Sequence, residues 1–117
     1  MITAHYNLEI AQGANYEEFF NLKDSNGDPL NLTGYTANLQ IRPYVSSDIV
    51  LLNASTENGL IFINGLLGRI ELNFSSNDTD QLIYTDSVYD LFLTDPNGFK
   101  VKPLEGFVKV KRKVTRI

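Results

Sequence analysis

Asp24, Asn26 and Asp28, spaced two apart around Gly27, come nearest to a metal-ligating set in this 117-residue chain. An EF-hand loop opens with oxygen ligands at alternate positions, but it needs glycine at its sixth position and a bidentate glutamate at its twelfth. Counted from Asp24, glycine falls fourth and the twelfth residue is Tyr35. The stretch reads instead as a tight turn, because Asn26-Gly27 supplies the positive φ a reversal needs. Asp78, Asp80 and Asp86 are a second acidic group, which could do glycosidic acid–base work if its carboxylates faced one another across a cleft. Capping of a short helical turn is the preferred reading. Asp90 falls on the outward face of a strand and, if partly buried, would pair with a strand lysine or arginine. His5 is the single histidine and there is no cysteine, so a Ser/His/Asp or Cys/His set has almost nothing to draw on. Gly65-Leu-Leu-Gly68 lacks the Lys-Ser/Thr of a phosphate loop. The expectation is a non-enzymatic chain with no cofactor and no metal site.

The strongest chemical signal is a charged face. Near the C-terminus Lys109, Lys111 and Lys113 alternate with Val108, Val110 and Val114, the period of a strand with one face on a core and one in water. These three lysines are the candidate protein interface. From residue 99 onward seven basic residues stand against one acid, whereas residues 1–98 hold Lys23, Arg42 and Arg69 against thirteen acids. Such a dipolar chain could pair copies head to tail or dock on an acidic partner. Alternatively, the lysines protect an exposed strand from edge-to-edge aggregation. Phe107 is assigned to the core side of the valines, so the basic strand is not a stacking platform for single-stranded nucleic acid. The sequence pI of about 4.8 also disfavours nucleic acid.

These residues need a scaffold, and the chain supplies one with period-2 alternation. Residues 6–10, 16–22, 35–42, 49–53, 60–63, 69–74, 87–94, 100–104 and the closing basic segment read as about eight short strands, with Phe20, Leu22, Ile70, Leu72, Phe74, Tyr89, Leu91 and Leu93 facing inward. Residues 75–82 give one helical turn, with Leu82 placed to tuck under the sheets. The expected fold is all-β, an antiparallel immunoglobulin-like sandwich formed by a single domain over residues 1–117. Hydrophobic residues at 43% and charged residues at 21% fit a globular chain with a core. No apolar run is long enough for a transmembrane helix, and the first residues lack the pattern of a signal peptide. The sequons at Asn31, Asn53, Asn73 and Asn77 are therefore read as chance.

Several segments carry a resemblance when read in order. They are Ile10-Ala-Gln-Gly13, Asn26-Gly-Asp-Pro-Leu-Asn-Leu-Thr-Gly-Tyr35, Leu39-Gln-Ile-Arg42, Thr56-Glu-Asn-Gly-Leu-Ile61, Gly68-Arg-Ile-Glu-Leu-Asn-Phe-Ser75, Val88-Tyr-Asp-Leu-Phe-Leu93 with Asp95-Pro-Asn-Gly98, and Leu104-Glu-Gly-Phe-Val-Lys-Val-Lys-Arg-Lys-Val-Thr-Arg116. Together they resemble the N-terminal domain of tailed-phage baseplate upper proteins and its stand-alone relatives, which are immunoglobulin-like sandwiches. The resemblance implies a bacteriophage virion structural protein, assembled in the host cytoplasm as a tail, baseplate or fibre-adaptor component. Its implied partners are other virion proteins and further copies of itself, with no nucleic acid or membrane. A capsid decoration protein is an alternative. Another is a carbohydrate- or host-surface-binding module using the loop aromatics Tyr44, Phe62, Tyr84 and Phe99. A cell-wall hydrolase fragment is disfavoured by the missing catalytic set.

Overall fold

The computed structural model describes residues 2–117 and folds them into two facing β-sheets. Among these residues are β1 (Ala4–His5), β2 (Leu8–Ala11), β3 (Tyr16–Asn21), β4 (Thr36–Arg42), β5 (Leu52–Ser55), β6 (Ile61–Asn64), β7 (Arg69–Phe74), α1 (Ser76–Asp80), β8 (Asp86–Thr94) and β9 (Lys100–Lys111). The larger sheet has the order β1-β9-β8-β4-β5, with β2 also paired to β9, and the smaller sheet is β3-β7-β6.

Alternation sets which face of each strand is buried. Ala37, Leu39 and Ile41 on β4, Ile70, Leu72 and Phe74 on β7, and Tyr89, Leu91 and Leu93 on β8 meet between the sheets. Fully burying a leucine, isoleucine or phenylalanine contributes about 1.5–3 kcal/mol, so this shared interior fixes the register of all three strands. Leu32 and Leu82 complete the core from the loops. Ser75 caps α1 as its position implies: its hydroxyl accepts from the Asp78 N–H, and the Asp78 carboxylate accepts from the Ser75 N–H. Asp24 is likewise a turn residue, its carboxylate accepting from the N–H groups of Asn26 and Asp28 beside Gly27 at φ +83°.

Four features differ from the sequence expectation. The first strand is split into β1 and β2, and both run parallel to β9, pairing Ala4 with Leu104 and Leu8 with Val108. The remaining ladders are antiparallel. The split falls at Tyr6 and Asn7, where the Asn7 side-chain carbonyl accepts from the Phe107 N–H at 3.0 Å and replaces a ladder bond. Secondly, residues 100–111 form one long strand. Leu91 pairs with Leu104 and Leu93 with Val101, so Lys102 and Pro103 together oppose Phe92. That bulge accommodates a proline, which has no N–H to give the ladder. Thirdly, β9 lies inside the sheet, covered on one side by β8 and on the other by β1 and β2. Its edge is therefore not open to strand addition, and Val114 lies beyond the strand and is exposed. The strand expected at 49–53 begins only at Leu52, because the Arg42 guanidinium donates to the Ser47 carbonyl and holds the preceding segment in a loop.

Candidate functional site

Strand register assembles a cleft of about 320 Å³ on the outer face of the larger sheet. In one row, Gln40 on β4 lies opposite Asp90 on β8, Asp90 opposite Glu105 on β9, and Glu105 opposite His5 on β1. In the neighbouring row, Arg42 lies opposite Val88, and Val88 opposite Phe107. These positions share one face because side chains two residues apart on a strand point the same way.

The electrostatics are specific. Asp90 and Glu105 are like charges in direct cross-strand register, an arrangement that opposes sheet pairing. Lys102 offsets it, its Nζ 2.7 Å from Glu105 Oε1. The bulge makes this contact available by placing Lys102 and Pro103 together against Phe92. The hydrogen bond and charge of Lys102 hold the Glu105 carboxyl below its ordinary value near 4.5, and Glu105 in turn raises the Lys102 ammonium. Arg42 is pinned, donating at 2.7 Å both to the Ser47 carbonyl and to Gln40 Oε1. Phe107 is 60% exposed, with the His5 ring against it edge-to-face at 5.7 Å. The cleft thus offers fixed donors, fixed acceptors and one aromatic wall. Among the described residues no group of three or more His, Cys, Asp or Glu side chains could hold a metal ion. No described helix is long and apolar enough to cross a membrane.

The three candidate interface lysines do not form one surface. Lys109 and Lys111 point outward from β9 and are exposed. Lys109 stands in register with Glu9 on one side and Asp86 on the other, whereas Lys111 lies opposite Ala11. Lys113 lies past the strand end, its Nζ 2.5 Å from Asp80 Oδ1, with its side chain against Gly13. Nor do the acidic residues converge: Asp78 caps α1, Asp80 pairs with Lys113, and Asp86 opens β8.

The loop aromatics are also dispersed. Antiparallel pairing of Thr36 with Thr94 and Arg42 with Val88 puts Tyr44 and Tyr84 towards one end of the larger sheet and Phe99 at the other. Phe62 lies on the smaller sheet, where Phe19 and Phe62 flank Glu71 on the outer face and the Arg69 guanidinium sits 4.6 Å over the Phe19 ring. All four loop candidates are exposed, but they form no common site.

Phe107 corrects the sequence reading. It shares parity with Lys109 and Lys111 rather than with Val108, so it faces outward. That parity was available in the sequence. The convergence of Gln40, Arg42, Asp90, Lys102 and Glu105 depends on the register of three strands and on a bulge, which local patterning does not encode.

No protein-family model and no curated protein matches the chain. Among solved structures, a chain from the crystal structure of ICOS in complex with ICOS-L and an anti ICOS-L VNAR domain is similar, with a TM-score of 0.52 and 12% identity. The match covers 93% of this chain and 56% of that one, so the chain spans little more than half the length of its structural neighbour. Likeness at this identity is likeness of fold: the chain is an all-β sandwich of immunoglobulin-like form.

Proposed function

We propose that the chain is a non-enzymatic structural protein of a tailed-bacteriophage virion, a tail, baseplate or fibre-adaptor component that assembles with other virion proteins and with copies of itself. The observation that carries this reading is the ordered series of motifs resembling baseplate upper protein N-terminal domains. These motifs fall on the joints of the sandwich. Asn26-Gly27 makes the turn after β3, Leu32-Thr-Gly34 leads into β4, and Asp95-Pro-Asn-Gly98 turns β8 into β9. The acidic group Asp78, Asp80 and Asp86 is taken up by capping α1, by pairing with Lys113 and by the start of β8. The smaller sheet adds exposed Phe19 and Phe62 on its outer face. A symmetric particle repeats such modest contacts many times, so high effective concentration replaces tight pairwise affinity.

Immunogold labelling of particles with antibody against the full chain tests the reading. Label at the tail or baseplate is expected. Label on the capsid shell would favour the decoration alternative, and unlabelled particles would oppose a virion role.

A further inference from the structure

We propose that the cleft between Arg42, Asp90, Lys102, Glu105 and Phe107 is a saccharide site that takes a neutral hexopyranose, alone or as the terminal unit of a glycan. The geometry supplies what a sugar ring needs. Asp90 and Glu105 present carboxylate acceptors for hydroxyl groups, Arg42 and Lys102 present donors, and exposed Phe107 offers an apolar wall for the C–H face of the ring. The two cations and two carboxylates cancel, which favours a neutral polar ligand over a phosphate or a polyamine. A volume of about 320 Å³ lies at the small end of ligand sites, which suits a mono- or disaccharide.

The site is also rigid before anything binds. Its residues stand on three paired strands, Arg42 is held at 2.7 Å by Ser47 and Gln40, and Lys102 is held at 2.7 Å by Glu105. The backbone beneath is already paired within the sheet, so an extended peptide cannot enter by strand addition. The facing carboxylates break a cross-strand pairing rule that Lys102 offsets, and local rules are broken in this way where a binding site needs the groups. This site differs from the loop aromatics singled out in the sequence and does not depend on the virion reading.

The test is an NMR titration of the ¹⁵N-labelled full chain with N-acetylglucosamine, glucose, galactose and rhamnose at millimolar concentrations. Amide shifts centred on Gln40, Asp90, Glu105 and Phe107 are expected for at least one sugar. Phe107→Ala is expected to weaken binding about tenfold, the scale of one lost aromatic contact, whereas Phe99→Ala leaves it unchanged. Asp90→Asn guards against a merely structural effect, since it keeps the size and shape of the side chain and should leave the urea midpoint near that of the parent while weakening the sugar several-fold. No shifts with any of the four sugars, shifts centred elsewhere, or unchanged binding by Phe107→Ala would overturn the proposal.

Discussion

The hydroxyl of Tyr89 on β8 donates to the backbone carbonyl of Tyr6 at 2.5 Å, joining residues 83 positions apart. Gly106, the cross-strand partner of Tyr89, makes this possible, because a side chain at that position would overlap the Tyr6 carbonyl. The bond secures the kink between β1 and β2, and with it the placement of His5 beside the cleft.

Tyr89→Phe should therefore cost about 1 kcal/mol, the net value of a hydrogen bond whose carbonyl keeps little alternative. Gly106→Ala should cost more, about 1–3 kcal/mol, because backbone must move to admit a methyl group. Urea denaturation of both variants checks the order; Gly106→Ala as stable as the parent would contradict it.

Burial is the main reason the Tyr16 and Tyr89 phenols sit well above their ordinary value of 10. A raised acid keeps its proton in the fold after the unfolded chain has lost it. Stability from these groups is thus complete below pH 10 and declines as the pH rises above it. Tyr89→Phe should flatten the alkaline limb of a stability–pH curve.

Glu105 predicts the opposite limb. Its carboxyl is lowered by Lys102, so its contribution is present above about pH 4.5 and is lost as the pH falls through the lower folded value. Glu105→Gln should weaken acid sensitivity in that window, as measured by circular dichroism across an acid titration.

Thr79 holds α1 to the β2–β3 turn. Its fully buried hydroxyl donates to the Ala14 carbonyl at 2.7 Å and accepts from the Gly13 N–H at 3.0 Å. Thr79→Val keeps the shape but strands both backbone groups, and should cost about 1–3 kcal/mol. Hydrogen exchange at Gly13 should accelerate with it.

Register separates the lysine variants. Lys111→Glu faces only Ala11, so it should weaken self-assembly while the monomer stays folded. Lys109→Glu would place three carboxylates in one row with Glu9 and Asp86, and Lys113→Glu would oppose Asp80. Both should lower the urea midpoint. Sedimentation velocity beside urea melts distinguishes the two effects; unchanged assembly in Lys111→Glu would remove that residue from the interface.

These particulars show what local pattern can convey. The alternation in β4, β7 and β8 was legible because each strand has one apolar and one polar face, and Ser75 was legible because capping is a local contact. The interior position of β9 was not, since it depends on β1 and β2 crossing to pair in parallel. The facing of Asp90 and Glu105 was hidden for the same reason. The lysine run looked like one surface only because strand periodicity was carried two residues past Lys111, where the chain turns to meet Asp80.

Mass spectrometry of particles from the proposed tailed phage, with capsids and tails separated beforehand, tests the central claim most directly. The proposed function predicts this chain at several copies in the tail fraction. Its absence from both fractions would contradict a virion role and leave a sugar-binding module of immunoglobulin-like fold as the reading to pursue.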